Sequence, residues 1–242
     1  MFQFMLTMFK TFTQHTPSSP SQRHRWFSRR AFAAFAVLGG GSLFVFALII
    51  ARGMLAGRFA YYFLLWNLFL AWIPFLSAYV VHRLPRQSLL TLFFAALWLL
   101  FFPNAPYLVT DLVHLRTVAE NRFLWLDIVM MFSFAWLGAM LGFLSLWLMH
   151  DWVSRAFGWL VGWLFVLLAS AAAGFGVYLG RFMRWNSWDV ITEPWELATD
   201  IIAPFLAPQA HARSLSFAVL VSAMMLMGYA TLIVFAKWRD EL

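Results

Sequence analysis

The stretch FFPNAPYLVTDLVHL, Phe101 to Leu115, ends an apolar run with two prolines around an asparagine and then presents Asp111 and His114. A spacing of three puts that carboxylate and imidazole on one face of a helix starting at Thr110 or Asp111, either of which can cap it. Such a pair suits acid–base chemistry, the carboxylate orienting the imidazole as a general base. It also suits a divalent cation shared with Asp127 or Asp189. The competing reading is a capping acid beside a partly exposed histidine. Zinc signatures with this spacing are absent, so no metal is assigned and no cofactor is named.

A second polar concentration lies in GRFMRWNSWDVITEPWELATDIIAPF, Gly180 to Phe205, where Arg181, Arg184, Asn186, Ser187 and Asp189 fall close together among three tryptophans. Guanidinium groups and amides in that density suit bidentate recognition of a polar or anionic headgroup. The competing reading is an interfacial belt of aromatic residues. Pro194 to Ala203, with Thr192 before it and Pro204 behind, then forms a short helix lying in the headgroup plane. The third chemical candidate, Asp127, stands just inside an apolar run, either as a ligand contact or as an anchor stabilised by the helix N-terminus, with Arg122 or water relieving its cost.

The elements that position these residues follow from composition. Hydrophobic residues make up 63% of the 242-residue chain and charged residues 11%, against about a quarter charged in soluble domains. The chain reads as an all-α, polytopic transmembrane helix bundle. Five runs are long enough to cross a bilayer: Ala31 to Ala51, Phe59 to Val81, Leu124 to Met149, Phe157 to Leu179 and Leu215 to Ala236. A sixth, Ser88 to Phe102, is short unless it continues toward Val109, and it counts as a third crossing broken at its outer end by Pro103 and Pro106. Each proline removes a backbone donor, and Phe102 and Ala105 are expected to leave helical geometry. Backbone freed in this way must be buried or line a wet cavity, where the Asn104 amide can serve either the carbonyls or a ligand.

Six crossings put both termini on one side. That side holds ten basic against three acidic residues; the other holds seven of each, so the whole +7 sits with the termini. Basic residues mark cytoplasmic loops, which places both termini in the cytoplasm and the protein in the cell (inner) membrane. The balance suits an anionic inner leaflet rather than nucleic acid. Met1–Ser28 reads as a flexible cytoplasmic tail, residues 29–238 as one six-helix membrane domain and 239–242 as the cytoplasmic end. The Arg29–Arg30 pair is an orientation signal rather than an export signal. Absence of cysteine excludes disulfides, thiolate metal sites and iron–sulfur clusters.

Helical spacing aligns Asp127, Met131, Gly138, Gly142 and Ser145 on one face, with Gly138 and Gly142 forming a small-xxx-small pair that admits a neighbouring backbone. Asn67, Ala71, Pro74 and Ala78 form a second stripe, and Asn67 and Asp127 are expected at similar depth, near enough to meet. Small-residue faces serve packing within one chain or between copies equally, so the oligomeric state stays open.

The motifs LFFPNAPYLVTDLVHL and YLGRFMRWNSWDV together resemble the bacterial family of multi-spanning membrane proteins catalogued as domain of unknown function 1361. Asn104, Asp111, His114, Arg181, Arg184, Trp185, Asn186, Trp188 and Asp189 fall on the motif positions. The resemblance runs from about the first crossing to the last and leaves out the tail. It implies an integral membrane protein of bacterial type and carries no catalytic role with it.

Three readings of function follow. In the first, both outer segments fold over one end of the bundle above Asn67 and Asp127, making a site that binds or transports a polar or anionic small molecule or a lipid headgroup. Arg181 and Arg184 then supply charge, and Asn104 and Asn186 orientation. The second is a membrane-embedded enzyme built on Asp111 and His114. The third is a non-catalytic subunit of a membrane complex, using the tryptophan-rich segment as its interface. The first rests on one premise, that an even number of crossings separates the two outer segments. Because the chain has no cysteine, Thr117→Cys and Ala207→Cys variants should both react with an impermeant thiol reagent in intact cells; reaction at one alone removes the premise.

Overall fold

The computed structural model describes residues 20–57, 61–117 and 123–241, and among them it contains helices and turns and no strand. The long helices are α1 (Pro20–Ala56), α2 (Tyr62–Arg83), α3 (Leu89–Phe101), α5 (Leu124–Phe157), α6 (Trp159–Tyr178) and α9 (Ala212–Glu241). Between α3 and α5 come α4 (Asn104–Thr110) and a 3₁₀ segment, Asp111–Thr117. Between α6 and α9 come a π-helical segment, Leu179–Met183, then α7 (Asp189–Thr192) and α8 (Pro194–Leu206). Six stretches are long and apolar enough to span a membrane. The protein is therefore an all-α, multi-pass membrane protein. The first nineteen residues of the expected tail lie outside the described residues, and the chain is already helical from Pro20.

Helix α5 is the post around which the bundle is arranged, packing against α1, α2, α4 and α6. The sequence stripe explains this, since Asp127, Met131, Gly138, Gly142 and Ser145 are all buried on it. The stripe on α2 behaves likewise, with Ala71, Pro74 and Ala78 buried. Helix α3 packs along α2, and α9 packs along α6. Ser88 caps α3 by accepting from the Leu90 amide at 3.2 Å, satisfying one of the donors a helix start leaves open.

At the proline corner the structure departs from expectation. Phe102 keeps right-handed helical dihedrals, φ −56° and ψ −38°, as does Pro103, at φ −59° and ψ −23°. The stretch Leu89–Leu115 is long and apolar enough to span as one segment, although its helix is interrupted at Phe102 and Pro103 between α3 and α4. What changes is the hydrogen-bond ladder. Ala105 donates to Phe102 O at 3.2 Å, three residues back, after which Tyr107 resumes the ordinary four-residue bond to Pro103 O at 3.1 Å. A slight tightening of the turn accommodates the missing proline amides without expelling either residue from the helical region. Pro204 is a second departure: it lies inside α8 rather than ending it. In the last turn it costs a single backbone hydrogen bond.

Close approach holds the corner in place. A methyl group at Gly138 would stand 2.6 Å from Leu108 Cδ1 and 2.8 Å from the Ala105 carbonyl, so the absent side chain lets α4 lie directly on α5. On the opposite flank, Pro103 seats against Gly176 of α6 so closely that a Cβ there would overlap its ring. Gly138→Ala should destabilise the protein by about 1–3 kcal/mol, since it overpacks against backbone that cannot retreat. Gly39→Ala, where nothing lies within 4 Å, should leave the thermal unfolding midpoint in detergent unchanged.

Candidate functional site

The two polar segments meet at one end of the bundle through Arg181. Its Nη2 donates to Asp111 Oδ1 at 2.6 Å and to Thr110 Oγ1 at 2.7 Å, and its Nε reaches the same hydroxyl at 3.2 Å. The guanidinium also lies over the Tyr107 ring, 4.4 Å from the centroid. Asp111 is 1% exposed, and its second oxygen accepts from Asn67 Nδ2 at 2.8 Å. Both carboxylate oxygens are thus engaged, which a buried charge requires. The π-helical turn brings Arg181 here: it adds a residue to the coil at the end of α6, and Arg184 closes it in the left-handed region, at φ 65°.

A second tie joins the same segments beside the proline corner. Asn104 Nδ2 donates to Phe101 O at 3.0 Å and to Ser187 Oγ at 2.9 Å. Ser187 in turn donates to Leu100 O at 3.2 Å. Asn104 therefore serves a carbonyl that Ala105 has bypassed, and it does so while reaching across to the other segment.

Beside these ties lies a cavity of about 630 Å³, between α2, α3, α6 and the chain from Arg184 to Ile201. Its polar lining includes Asn67, Asn104, Arg184, Asn186 and Ser187, and among the described residues no Asp or Glu lines it. Apolar walls come from Trp66, Leu99, Ala172, Phe175, Leu197 and Ile201. Arg184 is exposed and makes no ion pair among the described residues. The nearby acids are occupied: Asp189 accepts from the Asn186 backbone at 2.6 Å and from Thr192 Oγ1 at 3.3 Å, and Asp200 accepts from Trp185 Nε1 at 2.8 Å.

Asp127 belongs to a separate cluster. Arg52 Nε donates to its Oδ1 at 2.6 Å and Arg52 Nη2 to its Oδ2 at 3.2 Å, with side chains 4% and 0% exposed. The Tyr61 hydroxyl donates to Oδ2 at 3.4 Å. The guanidinium is flanked by Phe123, 4.8 Å to the centroid.

A family model described as a protein of unknown function, DUF1361, matches residues 66–227. The chain belongs to the DUF1361 family. No curated protein and no solved structure matches it.

Within this DUF1361 chain the sequence candidates separate into three places. Asn104, Arg184 and Asn186 line the cavity, and Asn67 reaches both cavity and hub. Arg181 and Asp111 form the hub. Asp127 is bound to Arg52, so its expected meeting with Asn67 is replaced by two pairings, each amide or carboxylate taking the partner at its own helix flank. Asp111 does not cap the 3₁₀ segment, since its carboxylate is turned to Arg181 and Asn67. His114 packs its ring edge-on against Phe63, 4.8 Å between centroids. Asp189 closes the turn before α7 and does not line the cavity. Among the described residues no three His, Asp or Glu side chains gather as a metal-ligand set. Arg122, weighed as the relief for Asp127, lies outside the described residues.

The residue that sequence reasoning missed is Arg52. A signal existed, because ALIIARGMLAG interrupts the first apolar run with one cation near the end that Asp127 also occupies, and an intramembrane charge needs an opposite partner. Thr110 and Tyr107 were missed because their role depends on a guanidinium far along the chain. Asp127→Ala, which leaves Arg52 buried and unpaired, should lower stability by about 3–5 kcal/mol. The joint Arg52→Met, Asp127→Leu variant should recover most of the loss in thermal unfolding.

Proposed function

We propose that the cavity beside the two ties is a ligand site, and that the protein binds or transports a polar or anionic molecule on the extracytoplasmic face of the cell membrane. One observation carries this reading. Arg184 lines a cavity that no acid lines among the described residues, whereas Arg181, of the same type and three residues earlier, is consumed by Asp111. A cation held at a cavity without a counter-charge is a recognition element for an anion. Beyond the hydrogen bonds they already make, Asn67 and Asn186 each have a second amide N–H and a carbonyl oxygen, and Asn104 has its carbonyl oxygen, to orient a ligand.

The distribution of basic residues supports reading this end as the outer one: the termini carry the positive excess, and the cavity lies at the opposite end of the crossings. The binding reading is favoured over the enzymatic one because Asp111 has both oxygens engaged and neither it nor His114 lines the cavity. The expectation that Arg181 and Arg184 share the ligand is thereby narrowed to Arg184, with Arg181 holding the architecture.

The two arginines should respond differently to substitution. Arg184→Asn keeps a residue that tolerates the left-handed backbone while removing the charge. It should leave thermal stability intact and lower, by about tenfold, the retention of whatever anionic species co-purifies in native mass spectrometry. Arg181→Ala should instead lower the unfolding midpoint, because it strands Asp111. Identical bound species in the native and Arg184→Asn proteins would overturn the reading.

A further inference from the structure

The cavity has a polar rim at one end and continues as an apolar crevice between two spanning helices. Helix α3 packs along α2 and scarcely touches α6. Between α3 and α6 the crevice is walled by Ala96 and Leu99 on one side and by Ala172 and Phe175 on the other. Ala96 and Ala172 are exposed, and Leu99 is 51% exposed. These residues sit inside stretches that span the membrane, so their exposure is to hydrocarbon and the crevice opens sideways into the bilayer.

Toward the bundle interior the crevice is closed. Trp98 of α3 packs on Phe165 of α6, 5.5 Å between centroids, and stacks on Phe102 at 4.6 Å. Phe165 lies about two turns from Ala172 on the same face of α6, nearer the helix start. Helix α8 borders the other flank. Leu197 and Ile201 line the cavity, Phe205 packs on Phe175 at 5.6 Å, and the Trp185–Asp200 hydrogen bond fixes the helix to the segment that carries Arg184.

We infer that the ligand is an anionic membrane lipid, taken in sideways from the bilayer, with its phosphate against Arg184 and the first carbons of its chains between Ala96, Leu99 and Ala172. This rests on the reading of the cavity as a ligand site and names what that site takes. A small soluble anion needs the rim and has no use for the crevice. An amphiphile uses both, because its head satisfies the cation while its tail never leaves hydrocarbon. From Ala172 to Leu179 the crevice extends about 10 Å along α6, at 1.5 Å per residue. That length holds the part of a chain next to the headgroup and leaves the remainder among neighbouring lipids. The positive rim, which no acid lines among the described residues, selects anionic heads over zwitterionic ones, whose ammonium would face Arg184.

The test uses the full chain, purified in detergent and offered three probes in native mass spectrometry and thermal-protection assays. The probes are dioleoylphosphatidylglycerol, dioleoylglycerol, which lacks the phosphate, and glycerol 3-phosphate, which lacks the tails. The phosphatidylglycerol should be retained one to one and raise the unfolding midpoint, with the other two at least about tenfold weaker at equal concentration. Arg184→Asn should reduce its retention about tenfold. Ala172→Trp and Leu99→Trp, both at exposed positions that tolerate bulk, should reduce it by filling the crevice. Leu160→Trp, 72% exposed at the other end of α6, should not. Equal protection by glycerol 3-phosphate would overturn the lateral lipid site while leaving a soluble-anion site standing. Unchanged retention of phosphatidylglycerol in folded Ala172→Trp and Leu99→Trp would overturn the crevice. Unchanged retention of every probe in Arg184→Asn would overturn the ligand site itself.

Discussion

The ion pair between Asp111 and Arg181 is the constraint on which the architecture of this end depends. A carboxylate taken out of water has lost several kcal/mol of solvation, and it is tolerable only when partners occupy its lone pairs. Here one oxygen is met by Arg181 and the other by Asn67, so a residue from α2 and one from the π-helical turn must converge on the third crossing. Thr110 and the face of Tyr107 take up the rest of the guanidinium. Removing Arg181 strands the buried Asp111 carboxylate, and that dependence ties the two distant segments together.

Packing sets where that piece can sit. Missing side chains at Gly138 and Gly176 let α4 and Pro103 press against α5 and α6 at distances that any Cβ would forbid. In a bilayer, tails are as apolar as leucine, so helices gain little from merely hiding hydrophobic surface; close backbone contact supplies the attraction instead. The two prolines fit the same logic. They loosen the ladder without leaving helical geometry, and the polar side chains of Asn104 and Ser187 serve carbonyls at the corner while tying it to the other segment.

Three arginines near this end have three fates, decided by what surrounds each. Arg52 is buried and neutralised by Asp127 beneath the Tyr61 hydroxyl. Arg181 is partly covered and neutralised by Asp111. Arg184 stands at the cavity with no acid in the lining among the described residues. Arg181 and Arg184, three positions apart, thus meet different surroundings, a division set by the π turn that ends between them.

The sequence by itself determined the class, the number of spans, the inward faces of α2 and α5 and the two polar segments, because those features follow from composition and from a helical period that is local to each run. It also named Asn104, Asp111, Arg181 and Arg184 as residues of interest. Their pairing it left open. Whether Asp127 meets Asn67 or Arg52, whether Asp111 caps a helix or binds an arginine seventy positions away, and whether Phe102 tolerates the following proline all depend on distances between helices that no local pattern encodes. Only the packed bundle fixed those distances, since in a medium without water each buried charge has to find its partner on another helix, and the close contacts at glycine decide which helix that is.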